Sequence, residues 1–179
     1  EVAPLESSSS NSDIDKELEL ILQQQAAKVK VFGIGGGGNN TAAGSVATIA
    51  GGSTNTASGG FTTIGGGTNN TAAGDFSFVG GGRNNTALSA SSTIAGGRYN
   101  AASDELATVG GGRCNTASGE CSTVAGGICN IATGKKSTVG GGGSNSGPGN
   151  YACGDYSTVG GGGGPIVGGN RACGTASTI

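Results

Sequence analysis

Residues 122–136 read Ser122-Thr-Val-Ala-Gly-Gly-Ile-Cys-Asn-Ile-Ala-Thr-Gly-Lys-Lys136, and Ser137-Thr-Val-Gly-Gly begins the same order again. Working outward, aliphatic residues stand at Ile34, Ile49, Ile64, Val79, Ile94, Val109, Val124 and Val139, each fifteen after the last. Eight residues beyond each of the first seven comes an alanine: Ala42, Ala57, Ala72, Ala87, Ala102, Ala117 and Ala132. Two residues before every one of these alanines is an asparagine. Glycine usually follows two residues after, at Gly44, Gly59, Gly74, Gly119 and Gly134, with Ser89 and Asp104 as exceptions. A fixed period of this kind is the mark of a repeat architecture.

Each unit divides into two short strands and two turns. Ser/Thr-Thr-Val/Ile is β-branched and alternates, as a strand requires. Asn-x-Ala-x-Gly alternates too, with small residues on one face. The Gly-Gly pair reverses the chain, because positive φ costs glycine little. Fifteen residues are too few for a helix-pair repeat and fit one rung of a parallel β-solenoid. The fold class is therefore all-β: a parallel β-roll of 15-residue rungs, the last two of 20 residues, spanning 31–179 in about nine to ten rungs. Its core columns are Ile34, Ile49, Ile64, Val79, Ile94, Val109, Val124, Val139 and Val159, opposed by the alanines. An inward ladder is expected from Asn40, Asn55, Asn70, Asn85, Asn100, Asn115, Asn130, Asn150 and Asn170, each amide bonding those above and below. With rungs stacked at about 4.8 Å, the nine steps from Ile34 to Ile179 give a rod of roughly 43 Å.

Composition agrees with a thin roll. The 179 residues include 41 glycines, and Leu, Ile, Val and Phe together number only 30. That is too little large apolar matter for an ordinary packed globule. Glycine does not recur every third residue and there are three prolines, which excludes collagen. Charged residues are 11%, well below what disorder by self-repulsion needs. A net charge of −2 gives no reason to expect nucleic acid or an anionic membrane as partner, and no stretch approaches the length of a bilayer span.

The two final steps, Val139 to Val159 and Val159 to Ile179, are twenty residues each. Alanine to the next aliphatic stays at seven, so both sets of five extra residues enter at the glycine turn, carrying Pro148 and Pro165. Residues 1–12 read as a flexible segment. Residues 13–30 read as a short helix, capped by Asn11 or Ser12, with Asp13, Asp15 and Glu17 at its start and Lys28 and Lys30 at its end. Ile14, Leu18 and Ile21 make its stripe, suited to a trimerising neck or a docking peg. Glu1 with no initiator Met or signal peptide suggests a trimmed start, and Ile179 on a strand position suggests that the roll continues.

Segments such as Ser122-Thr-Val-Ala-Gly-Gly-Ile-Cys-Asn and Asn115-Thr-Ala-Ser-Gly-Glu-Cys-Ser-Thr-Val closely resemble the head repeats of trimeric autotransporter adhesins, whose rungs are usually slightly shorter. Similar repeats occur in phage tail fibres. The resemblance covers about residues 31–179. It implies a left-handed parallel β-roll, a homotrimer about one axis, and neighbouring chains burying what one thin roll cannot. It brings no catalytic residues.

Other chemistry finds little support. Lys30-Val-Phe-Gly-Ile-Gly-Gly-Gly-Gly looks like a strand feeding a phosphate loop, but similar glycine runs follow every aliphatic position and no helix comes after Gly38. The N-x-T sequons at Asn39, Asn69 and Asn84 are by-products of the repeat. Cys114 and Cys129 share one column and Cys153 and Cys173 another, within disulfide reach if stacked; with Cys121 the count is odd, and free thiols are the expectation. No C-x-x-C or His supports zinc. Arg83, Arg98 and Arg113 form a column able to face an anionic glycan or simply water; Asp75, Glu105, Glu120 and Asp155 form a column of surface charge. With no His and no nucleophile beside a base, neither enzyme activity nor a cofactor is expected.

Shape then argues for function. The first expectation is the shaft of a phage tail fibre or appendage, a homotrimeric virion structural protein for host attachment. Its N-terminal segment would meet other tail or particle proteins, and its surface a host receptor or glycan. The alternative is the surface-exposed head of a bacterial trimeric autotransporter adhesin. Five cysteines favour the fibre, because a passenger exported through an oxidising periplasm risks cross-links. An ice-binding face would need paired threonine ranks, whereas the column Thr48, Thr63, Thr93, Thr108, Thr123, Thr138 is single and broken by Phe78.

Overall fold

The computed structural model describes residues 38–164 and 168–179. The segment 1–12, the helix expected over 13–30, Ile34 and Pro165 lie outside the described residues. Within them the chain is an all-β parallel solenoid without a helix. Seventeen strands of two residues each run from Thr41–Ala42 to Arg171–Ala172. Alternate strands build a nine-stranded sheet, from Thr41–Ala42 to Arg171–Ala172, and an eight-stranded sheet, from Thr48–Ile49 to Thr158–Val159.

Every pairing is parallel and follows the repeat. Thr48 lies opposite Thr63 and Ile49 opposite Ile64; on the other sheet Ala57 lies opposite Ala72. The longer rungs keep the same register, with Val139 opposite Val159 and Ala152 opposite Ala172. β-branched Thr-Val and Thr-Ile pairs favour the extended backbone. Their amides donate to the rung above, as from Thr48 to the Thr62 carbonyl at 2.9 Å and from Ala50 to the Ile64 carbonyl at 3.0 Å.

The two sheets face each other across a thin interior. Ile49, Ile64, Val79, Ile94, Val109, Val124, Val139 and Val159 are wholly buried, and so are the alanines from Ala57 to Ala152 that oppose them. Burying one Val or Ile side chain contributes about 1.5–3 kcal/mol. One chain thus closes its own interior. Alanine and glycine let the sheets approach closely enough for one aliphatic residue per rung to fill the gap.

A second inward column lies two residues before each aliphatic position, on the same face of the strand. It holds Ala47, Thr62, Ser77, Ser92, Ala107, Ser122, Ser137 and Ser157, all buried. The Oγ atoms of Ser77, Ser92, Ser137 and Ser157 have no hydrogen-bond partner.

Candidate functional site

The turns at the two ends of each rung form two edges, and these carry the chain's distinctive chemistry. At the glycine edge the asparagines organise the backbone. Asn55, Asn70, Asn85, Asn100, Asn115, Asn130 and Asn150 are buried, while Asn40 and Asn170 are half-buried. From Asn40 through Asn150, each Oδ1 accepts the backbone N–H of the asparagine one rung on, at 2.8–3.1 Å. In Asn55 through Asn130, Nδ2 donates to the glycine carbonyl four residues before and to a glycine carbonyl of the next rung. These bonds use both N–H donors of the amide and one of the two lone pairs on its oxygen.

That pattern differs from an amide-to-amide ladder. Within the column, only Asn55 Nδ2 to Asn40 Oδ1, at 3.1 Å, joins two side-chain amides. The reason is the turn: successive glycine carbonyls converge on Nδ2, so the amide clamps the turn within its rung and the next. At Asn150 the clamped carbonyl is that of Gly141, nine residues before, at 2.7 Å. The extra residues therefore bulge out between the glycine and the asparagine and leave the clamp intact. Gly82, with φ +91°, shows why glycine is required: a Cβ there would overlap the Gly97 carbonyl.

Outside the clamp, Ser53, Thr68, Arg83, Arg98, Arg113, Ile128 and Gly143 pair in parallel as a continuous column. Beside it Thr54, Asn69, Asn84, Tyr99, Cys114 and Cys129 all hold φ between +55° and +59°, a conformation that asparagine adopts more readily than most residues. Asn69 Nδ2 donates to Asn84 Oδ1 at 2.7 Å. The guanidiniums of Arg83 and Arg98 share the Tyr99 ring, at 5.9 and 5.8 Å from its centroid. Arg113 donates to Asn145 of the first extended loop. Near that loop a hollow of about 450 Å³ is lined by Cys129, Ile131, Pro148, Tyr151 and Arg171 among others.

The opposite edge carries the described acids: Asp75, Asp104, Glu105, Glu120 and Asp155, with Lys135 and Lys136. Lys135 pairs with Glu120 at 2.5 Å, and that hydrogen bond, then its charge, pushes the ammonium pKa up. Next to the acids runs a column the consensus did not reveal, three residues before each aliphatic position. It holds Val46, Phe61, Phe76, Ser91, Leu106, Cys121, Lys136 and Tyr156. Its large apolar members are 50–62% exposed, and Phe61 and Phe76 stack at 5.0 Å between centroids, planes 3° apart.

Cys153 and Cys173 form a disulfide between successive rungs, with Cα atoms 4.5 Å apart. This corrects the expectation of free thiols for that pair: in-register stacking brings the two Cα atoms inside disulfide range. Cys114, Cys121 and Cys129 are free and half-buried. Burial, then the neighbouring Cys114, pushes the Cys129 thiol up. Among the described residues no three metal-ligating side chains come together, and no helix is long and apolar enough to cross a membrane. No protein-family model and no curated protein matches the chain.

Proposed function

We propose that this chain is the shaft of a trimeric fibre on a phage particle, a rigid structural spacer for host attachment. The observation that carries the reading is the exposed apolar edge, continuous over Val46, Phe61 and Phe76 and resumed at Leu106 and Tyr156. An exposed apolar stripe marks an interaction surface, and one whose members share a single column of the rungs suits parallel copies of the same chain in the same register. The resemblance of the repeats to trimeric rolls supplies the number three. Three free thiols suit assembly in a reducing compartment.

The head of a bacterial surface adhesin is the second reading, favoured by the Cys153–Cys173 disulfide, which suits an oxidising exterior. Light scattering of the purified chain tests the trimer shared by both: the expected mass is three times 16.8 kDa, and a stable monomer overturns it. Immunogold labelling separates the two, with gold on virions supporting the fibre and gold on uninfected cells the adhesin.

A further inference from the structure

The charges of the described rungs are segregated. All five acids lie at one edge, whereas the glycine turns between residues 50 and 164 contain no Asp or Glu. Arg83, Arg98 and Arg113 therefore stack on successive rungs without a carboxylate opposite them. Three like charges at the rung spacing of about 4.8 Å repel one another, so the column is a poor stabilising device for the roll itself. Its surroundings are polar and aromatic. Tyr99 offers a half-exposed ring with two guanidiniums 5.9 and 5.8 Å from its centroid. Ser53 and Thr68 extend the column with hydroxyls, and Asn84 adds an amide beside Arg83.

We propose that the glycine edge is a binding strip for a linear anionic polysaccharide, a uronate polymer lying along the rod with roughly one sugar unit per rung. The planar guanidinium fork matches a carboxylate bidentately, and the Tyr99 face stacks on the C–H face of a sugar ring. Nucleic acid fits less well, because the phosphates of each duplex strand recur about every 3.4 Å of helix axis, out of step with rungs about 4.8 Å apart. The inference deepens the fibre reading by naming the chemistry of the surface that the shaft meets.

The test is calorimetric titration of the full chain with sodium polygalacturonate, alongside neutral dextran and linear polyphosphate. Binding to polygalacturonate that weakens with added salt, with no binding to dextran, is the expected result. Arg83→Thr, Arg98→Thr and Arg113→Thr install the residue that Thr68 already places in this column, and each lowers affinity roughly tenfold. Tyr99→Asn, which copies Asn84 of the preceding rung, weakens polygalacturonate while sparing polyphosphate. The proposal is overturned by absence of binding, by affinity unchanged in the triple arginine variant, or by polyphosphate binding as tightly with Tyr99→Asn silent for both polymers. The salt titration of the unmutated chain decides the electrostatic part even if a variant misfolds. Scattering on the same samples keeps the tests separate: a trimer that binds no polygalacturonate overturns this strip alone.

Discussion

Asn85 Oδ1 accepts the backbone N–H of Asn100, one rung on and 3.1 Å away, while Asn85 Nδ2 holds the carbonyls of Gly81 and Gly97, each at 2.9 Å. Three hydrogen bonds from one wholly buried side chain join two rungs at the glycine turn.

Asn85→Leu keeps the branched shape but orphans the Gly81 carbonyl and the Asn100 amide, while the Gly97 carbonyl keeps the Arg83 N–H at 3.0 Å. At about 1 kcal/mol or more for each buried group left unpaired, the roll loses at least ~2 kcal/mol. Calorimetry should show a fall in melting temperature of many degrees; an unchanged melting temperature would remove the clamp from the account of stability.

Two glycines separated by function should separate by substitution. Gly82→Ala forces a Cβ into the Gly97 carbonyl at φ +91°, and the variant is expected to be severely destabilised. Gly126→Ala meets nothing within 4 Å and has no left-handed φ, so it should be neutral or gain up to about 1 kcal/mol by restricting the unfolded chain. Urea midpoints of the two variants make the comparison.

The unpartnered hydroxyls of the inner serine column are a removable cost. Ser92→Ala and Ser137→Ala reproduce what Ala47 and Ala107 already do in that column. Each should raise stability by about 1 kcal/mol, since a buried hydroxyl without a partner costs ~1–3 kcal/mol. A loss of stability would reveal that these hydroxyls are bonded after all.

Cys129 makes stability fall at alkaline pH. Its thiol is held above the ordinary 9.0, first by burial and then by Cys114, so the folded state resists the ionisation that the unfolded chain accepts. The contribution is fully present below about pH 9 and is lost as pH rises through the folded value. Cys129→Ser should flatten that alkaline limb in melting curves. Cys114→Ser should speed alkylation of Cys129 near pH 8.5, as more of it becomes thiolate.

The exposed apolar edge carries the last prediction. Phe61→Ser with Phe76→Ser leaves every inner column untouched, so the circular dichroism of the roll should persist while the scattering mass drops below that of the unmutated chain. An unchanged trimeric mass would move the chain–chain contact elsewhere.

The inner columns were legible because the interior repeats identity: Val or Ile, Ala and Asn recur where one rung rests on another. The partner of each asparagine was not, since spacing tells which side chains stack but not that glycine carbonyls converge on Nδ2. Ser77 and Ser92 sat unnoticed because serine reads as a surface residue, although its period with Val79 and Ile94 puts it inside. The Val46–Tyr156 edge escaped for the opposite reason. Its members share hydrophobicity rather than identity, and Ser91, Cys121 and Lys136 interrupt it. For Cys153 and Cys173 stacking was readable, but proximity alone does not say whether two thiols are oxidised.

The longer rungs leave one consequence. The Asn150 N–H donates to Asn130 Oδ1 at 2.8 Å across twenty residues, as the Asn130 N–H does to Asn115 Oδ1 at 3.0 Å across fifteen. Rise along the axis is thus counted in clamps and is blind to contour length. Decoration can be spliced into the glycine edge, and lengthened there, without changing how far the object reaches or where any neighbouring column points.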